Sequence, residues 1–220
     1  MPHTFDRDYW DQHWDGDRAV APAAMAASPP SPHLIREADS LLPGTALDAG
    51  CGAGAEAIWL ASRGWQVTAA DIANEALARA AERAAASGVG DQVRWVQADL
   101  TAWEPATTYD LVTTHYAHPA MPQLEFYDRI ASWVSPGGTL LIVGHLRHRH
   151  GAGPGHGHRH GNGGGEPLAP ASVTTAGITA RLDPAVWDVV TAEESSRSMP
   201  GRGRSAVTLH DVVVRATRRH

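Results

Sequence analysis

The sequence predicts an α/β fold, a mostly parallel sheet with helices packed on both faces. Two observations carry this. Short, almost wholly apolar segments alternate with helical ones through residues 46–144, the pattern of β–α units whose strands are covered on both sides. The stretch Ala46-Leu47-Asp48-Ala49-Gly50-Cys51-Gly52-Ala53-Gly54 reads as a buried strand that turns sharply into a helix over about 53–63. Glycine at the turn allows unusual dihedrals and close approach of a ligand to the main chain. The N–H groups of the following helix aim at the same spot. In such sheets ligands sit in the crevice at the strand carboxyl ends.

The remaining elements follow in order. Phe5, Tyr9, Trp10 and Trp14 crowd the start of the chain, and a short helix would place Trp10 and Trp14 on one face. Residues 19–32 are rich in Ala and Pro and read as an extended stretch. His33–Leu42 has helical spacing, stopped by Pro43-Gly44. Trp65–Ala70 is a second strand ending in Asp71. Asn74 is placed to cap a helix that runs to Ser87, with Gly88 as its stop. Val93–Val96 is a third strand, with Asp99 just beyond it, and Tyr109–Thr114 a fourth. Pro122–Val134 is helical by pattern, and Thr139–Gly144 is a fifth strand. Ser172–Leu182 reads as a helix, Trp187–Ala192 as a sixth strand and Val207–Ala216 as a seventh. Pro200-Gly201-Arg202-Gly203 between the last two indicates a hairpin.

Composition narrows the function classes. The 220 residues suffice for one domain with one sizeable core. No apolar run is long enough to span a membrane, and the polar, acidic amino terminus is unlike a signal peptide. The single cysteine, Cys51, excludes an internal disulfide, and a cytoplasmic location is the simplest expectation. A formal charge of -6 argues against a nucleic-acid binder, which needs a basic face. All 18 basic residues are arginine, which we read as base-composition bias. The oligomeric state is not legible.

Three acids fall at strand ends: Asp48, Asp71 and Asp99. A carboxylate after the second strand suits a ribose diol, and one after the third can accept from an adenine amino group. Asp48 and nearby backbone can hold a cationic amino group. Gly50, Gly52 and Ala55 also fit a dinucleotide fingerprint. Against that, Asp48 would repel a pyrophosphate, and little sequence remains for a separate substrate domain. The last strands also resemble a hairpin more than a second mononucleotide half.

Leu47–Gly54, Val67-Thr68-Ala69-Ala70-Asp71, Gln97-Ala98-Asp99-Leu100, Tyr109–Thr114 and Pro136-Gly137-Gly138 together resemble the class I S-adenosylmethionine-dependent methyltransferases over about 34–146. The resemblance implies a Rossmann-like, doubly wound sheet of seven strands, mostly parallel with an antiparallel last strand. It implies S-adenosyl-L-methionine as cofactor. The cofactor-binding set would be Asp48, Ala49, Gly50, Cys51, Gly52 and Gly54 around the methionine part, Asp71 at the ribose with Ile72, and Asp99 and Leu100 at the adenine. The His115 region would lie at the methionine amino group or the substrate side. The amino-terminal aromatics and Pro29-Pro30-Ser31-Pro32 resemble the small-molecule branch that contains thiopurine and tellurite-resistance methyltransferases. Residues 1–32 would then be an aromatic lid segment and Pro-rich stretch, and 33–220 the methyltransferase domain.

Methyl transfer is an in-line displacement that needs a positioned nucleophile and excluded water. His115 and His118 follow the fourth strand and are the catalytic candidates. Tyr9, Trp10, Trp14 and Tyr116 are the candidates for lid and substrate contacts. A soft sulfur, selenium or tellurium acceptor needs no strong base, whereas oxygen or nitrogen more often does. Residues 145–165 are rich in Gly and His and read as a disordered insert. Its His156, His158 and His160 can bind a metal adventitiously, but nothing there fixes a geometry. The competing expectation is a metal-binding protein that uses this loop on a methyltransferase scaffold.

Overall fold

The computed structural model describes residues 5–14, 28–146, 172–200 and 206–220. Helix α1 spans Arg7–Trp14 and α2 Pro32–Ala38. They are followed by β1 (Thr45–Ala49), α3 (Ala55–Ser62), β2 (Gln66–Asp71), α4 (Asn74–Ala86), β3 (Val93–Gln97) and β4 (Tyr109–His115). Then come α5 (Gln123–Ala131), β5 (Val134–Leu146), β6 (Ser172–Val173), α6 (Thr175–Thr179), β7 (Trp187–Pro200) and β8 (Ala206–Arg218). The sheet order is β3-β2-β1-β4-β5-β8-β7, and the two-residue β6 pairs beside β5. All pairings from β3 to β5 are parallel, while β8 runs antiparallel to both β5 and β7. The seven expected strands are therefore present, with the last antiparallel and β6 as a short addition.

Alternation along the strands sorts side chains to the two faces. Leu47, Val112, Leu140, Ile142, Val212 and Val214 pack with Phe126 and Ile130 of α5 and Ile178 of α6. Ala46, Val67, Leu111, Leu141, Val143 and Val213 pack with Leu34 of α2, Leu60 of α3 and Leu77 of α4. Leu140–Val143 is fully buried at every position, as a central strand covered on both faces must be. Trp133 and Trp187 are buried, and Trp103 meets Trp133 edge-on at 5.6 Å. Strand order reverses between β1 and β4, so the crevice of the sheet opens at their carboxyl ends.

Five local expectations change. Asn74 is the first residue of α4, not its cap; Ala73 takes that position with no side-chain cap, and Asp71 Oδ1 accepts from the Ala73 N–H at 2.9 Å. The helix before β5 stops at Ala131, and the strand begins at Val134 with a register shift between Tyr109 and Leu111. Within Ser172–Leu182 only Thr175–Thr179 is helical, capped by Thr174 Oγ1, which accepts from Gly177 N at 3.1 Å. β7 runs eight residues beyond Ala192, because its polar second half alternates between half-buried and exposed positions as an edge strand with one wet face. His145 and Leu146, read as the start of the insert, belong to β5 and pair with Ser172 and Val173. The rest of that insert, and the turn between β7 and β8, lie outside the described residues.

Gly54 closes the turn into α3 at φ 75, and a Cβ there would come within 2.7 Å of Trp95 and 2.9 Å of Ala80. The left-handed backbone costs a side chain about 1–2 kcal/mol, and overpacking about 1–3 kcal/mol. Gly54→Ala is expected to lower stability by about 2–4 kcal/mol, read as a lower urea midpoint with an unchanged slope.

Candidate active site

A cavity of about 260 Å³ opens at the carboxyl ends of β1, β2 and β4. Its floor is the glycine turn, Gly50 to Ala53, and its sides are Asp71 and Ile72 after β2, Ala98–Leu100 after β3, and His115–Ala120 after β4. Phe5, Trp10 and Trp14 form the roof, and Ser28 and Pro29 close one edge. The turn is held by the carbonyl of Ala70, which accepts from Gly50 N and Cys51 N at 2.8 and 3.1 Å. Asp71 Oδ2 accepts from Gly52 N at 2.8 Å, so one carboxylate fixes both the turn and the start of α4. Gly50 and Gly52 have positive φ, and a Cβ on Gly50 would lie 2.3 Å from that of Ala117, so only glycine lets the loop after β4 approach. Trp14 lies over Gly52, its ring 3.4 Å from where a Cβ would stand.

Most of the sequence-predicted residues come together here. Gly50, Cys51, Gly52, Asp71, Ile72, Asp99, Leu100, His115, Tyr116, His118, Trp10 and Trp14 all line the cavity. Asp48, Ala49, Gly54 and Tyr9 do not. Asp48 lies beneath the turn, 1 % exposed, with Oδ2 unpartnered. Tyr9 turns away to meet Phe5 and Trp10 edge-on. His156, His158 and His160 lie outside the described residues. Among those described, no group of three His, Cys, Asp or Glu is placed to hold a metal ion.

Glu56 is the acid that the sequence reading missed. It opens α3 on the cavity wall, and its Oε1 accepts from Ser31 N at 3.0 Å. Its only signal in the sequence is its place in the first turn of the helix after the glycines. Burial, then Glu56 and Asp71, push Asp48 well above the usual carboxylate range. Burial also raises Glu56 and Asp71, against opposing backbone N–H donors. The Cys51 thiol is pushed up by burial and by the same acids, so it stays protonated. Arg83, which donates to the Ala53 carbonyl at 2.8 Å, offsets part of this acidity at Glu56, and three acids against one cation leave the floor suited to a cationic ligand.

The opposite wall is neutral or positive. His115 Nε2 lies 2.8 Å from Thr113 Oγ1, its Nδ1 is buried without a partner, and burial and His33 push its pKa down to about 3. Tyr116, at φ 55, receives a hydrogen bond from Arg197 Nη2 at 3.0 Å. Arg197 also donates to Asp211 Oδ2 at 2.7 Å, which His33 Nε2 meets at 3.1 Å. Burial acts to raise Asp211, but the hydrogen bonds of His33, Arg197 and Tyr116 outweigh it and hold the group below its ordinary value. These partners are up to 178 residues apart, so no local pattern announces them.

Residues 46–138 match a family described as a methyltransferase domain. Among solved structures, magnesium protoporphyrin IX methyltransferase from Synechocystis PCC 6803 with bound SAM superposes with a TM-score of 0.65 at 16 % identity, over 99 % of this chain and 99 % of that one. Over residues 46–138 the chain is thus similar to a methyltransferase domain, and its fold is that of the solved methyltransferase. Its fold is also that of TehB from Haemophilus influenzae, with a TM-score of 0.67 at 13 % identity over 96 % of this chain and 67 % of that one. Thiocyanate methyltransferase 1 of Brassica oleracea is 31 % identical over 113 residues, 51 % of this chain and 49 % of that protein. Trans-aconitate 2-methyltransferase of Streptomyces avermitilis is 31 % identical over 134 residues, 58 % and 49 % of the two. The chain thus spans about half the length of the curated relatives it matches.

S-adenosylmethionine, which the Synechocystis structure holds, fits the cavity. The cofactor is a cation with an amino group, and the floor beneath the glycine turn holds a buried, unpartnered carboxylate oxygen on Asp48. Asp71 and Asp99 stand at two neighbouring strand ends with Ile72 and Leu100 between them as apolar surface.

Because Asp48 has a raised native pKa, the folded protein holds this proton to higher pH than the unfolded chain. Its contribution is therefore present in acid and is lost as pH rises from the ordinary carboxylate range through the raised value. Asp48→Asn removes the ionisation and is expected to favour the ligand-free protein at pH values above the ordinary carboxylate range, read as a higher melting temperature there. It should also flatten the decline of melting temperature with rising pH.

Proposed function

We propose that the protein transfers a methyl group from S-adenosyl-L-methionine to a small-molecule acceptor in this cavity. The observation that carries the reading is a single cavity bounded by the glycine turn, two strand-end acids and an aromatic roof. When bound, the cofactor supplies an electrophilic methyl group on a sulfonium. The backbone at Gly50 and Gly52 would hold its methionine part, Asp71 the ribose, and Ile72, Asp99 and Leu100 the adenine. Asp48 and Glu56 would draw the amino group toward the floor. Cys51 and Ala49 would contribute backbone and packing, and Gly54 would shape the turn.

The roof keeps water out. Trp10 Nε1 donates to the His118 carbonyl at 3.3 Å, and Arg79 Nη2 donates to the Trp14 carbonyl at 2.9 Å, so α1 is latched to two walls. The acceptor can present sulfur, selenium, tellurium, oxygen or nitrogen. The names of the relatives, with thiocyanate and trans-aconitate as acceptors, and the wall of small cavity residues support a small molecule. A cytoplasmic location accords with this reading and with the absence of any helix long and apolar enough to cross a membrane among the described residues. The metal-binding alternative rests on His156, His158 and His160 and gains no support from the described residues.

Two measurements test the reading. In calorimetry with S-adenosylhomocysteine, Asp71→Asn is expected to weaken binding by about 1.5–3 kcal/mol, as for one charge-assisted hydrogen bond lost at a buried site. Unchanged affinity in a folded variant would remove Asp71 from the cofactor contacts. The Trp10→Ala, Trp14→Ala double variant should lose more affinity for S-adenosylmethionine than for S-adenosylhomocysteine, by about 0.5–2 kcal/mol, because only the sulfonium is drawn to an aromatic face. Equal losses for both ligands would reduce the roof to a hydrophobic cover.

A further inference from the structure

The wall after β4 carries a hydrogen-bond chain that the cofactor contacts do not use. Gln123, 5 % exposed, opens α5 behind the loop that holds His118. Its amide has one arrangement that serves both neighbours. The atom 3.0 Å from the Ala117 carbonyl faces a group that can only accept, so it is the amide NH₂. Oε1 then faces His118 Nδ1 at 3.3 Å and can only accept, so Nδ1 carries the proton. A neutral imidazole has one N–H, which leaves Nε2 with its lone pair. Burial lowers the pKa of His118, against a smaller opposing effect of Gln123, so the ring is neutral at neutral pH.

His118 also has the right place. It lines the cavity beneath Phe5 and Trp10, and among the described residues no hydrogen bond engages its Nε2. The ring stacks on His145 at 5.3 Å and 26°, and Phe5 lies 5.6 Å from it, so its orientation is gripped from two sides. The roof helix latches to the carbonyl of this same residue. His115 is differently held: Thr113 occupies its Nε2, its Nδ1 is sealed, and it is the weaker base.

We propose that Gln123 is a positioning residue that fixes His118 in its Nδ1–H form, and that His118 Nε2 removes the proton of a protic acceptor, a thiol, phenol or amine. This rests on the methyl-transfer reading above and narrows its acceptor class. A lone pair of the acceptor atom forms the bond to the methyl carbon, and the carbon–sulfur pair returns to sulfur, releasing neutral S-adenosylhomocysteine. The acceptor's proton passes to Nε2, so the positive charge that leaves sulfur ends on the imidazolium. From there it passes to solvent once product has left. An acceptor that carries no proton, such as a simple anion, would have no use for the dyad.

Nitrogen-detected NMR of the S-adenosylhomocysteine complex reads the tautomer without any acceptor. The expected result is His118 in the Nδ1–H form, shifting toward Nε2–H in Gln123→Leu. A wild-type ring that is mainly Nε2–H overturns the proposal. Calorimetry on the same samples reports cofactor binding separately, so a failure of the methyl-transfer reading is distinguishable. With benzyl mercaptan as acceptor, His118→Gly should lose at least about 100-fold in kcat, the scale of general-base catalysis, and regain part of it with added imidazole. Gln123→Leu should lower kcat with little change in KM. Gln123→Glu, which still accepts from Nδ1–H, should restore much of the loss. A His118→Gly protein that keeps its rate, or a Gln123→Leu effect confined to melting temperature, also overturns the proposal.

Discussion

The carboxylate of Asp71 is the contact on which the site depends. Its two oxygens accept from Gly52 N and Ala73 N, one on each of two successive strand-to-helix turns. Hydrogen bonds to a carboxylate are stronger than neutral ones, and here burial removes the competition of water. The bond to Gly52 pulls the glycine turn against β2. That places Gly52 under Trp14 and lets Ala117 close on Gly50. Roof, floor and side wall of the cavity are therefore set by one side chain that the ligand would also meet.

The concentration of acids under the turn is a second constraint, and it works against stability. Burial raises the cost of ionising all three of Asp48, Glu56 and Asp71, and at Asp48 the charges of the other two add to it. A fold selected for stability alone has little reason to keep Asp48 with an unpartnered oxygen. A cation bound above would relieve that cost, so the floor favours a ligand of positive charge.

Much of this was legible in the sequence because it is local. Strand periodicity, the three glycines and the acids at the ends of β1, β2 and near β3 lie within a few residues of the elements they define. The sequence misled where a local pattern was overruled. Asn74 has the chemistry of a cap, but Ala73 takes the cap position because Asp71 ties its N–H back to the end of β2. The second half of β7 looks like a polar loop, and only pairing with β8 makes it a strand. Asp48 was expected on the rim, yet it is the fourth residue of β1, and its side chain ends up under the turn. The set of His33, Arg197 and Asp211 gave no signal, because its members come from distant elements; Gln123 gave none although its partners Ala117 and His118 lie just before it in the chain. Glu56 was hidden for the opposite reason, since acids in the first turn of a helix are common.

The long β7 has a consequence for how the molecule behaves among its neighbours. It ends the sheet, and a strand of fourteen residues with one unpaired backbone edge is a template on which another chain can add. The irregular register between Val189 and Thr191 breaks that edge beside the exposed Val189 and Val190, where stickiness would be greatest. Beyond the break, Glu193 and Glu194 put charge on the strand, a device that discourages edge-to-edge stacking. The polarity that disguised this segment as a loop thus doubles as protection against aggregation.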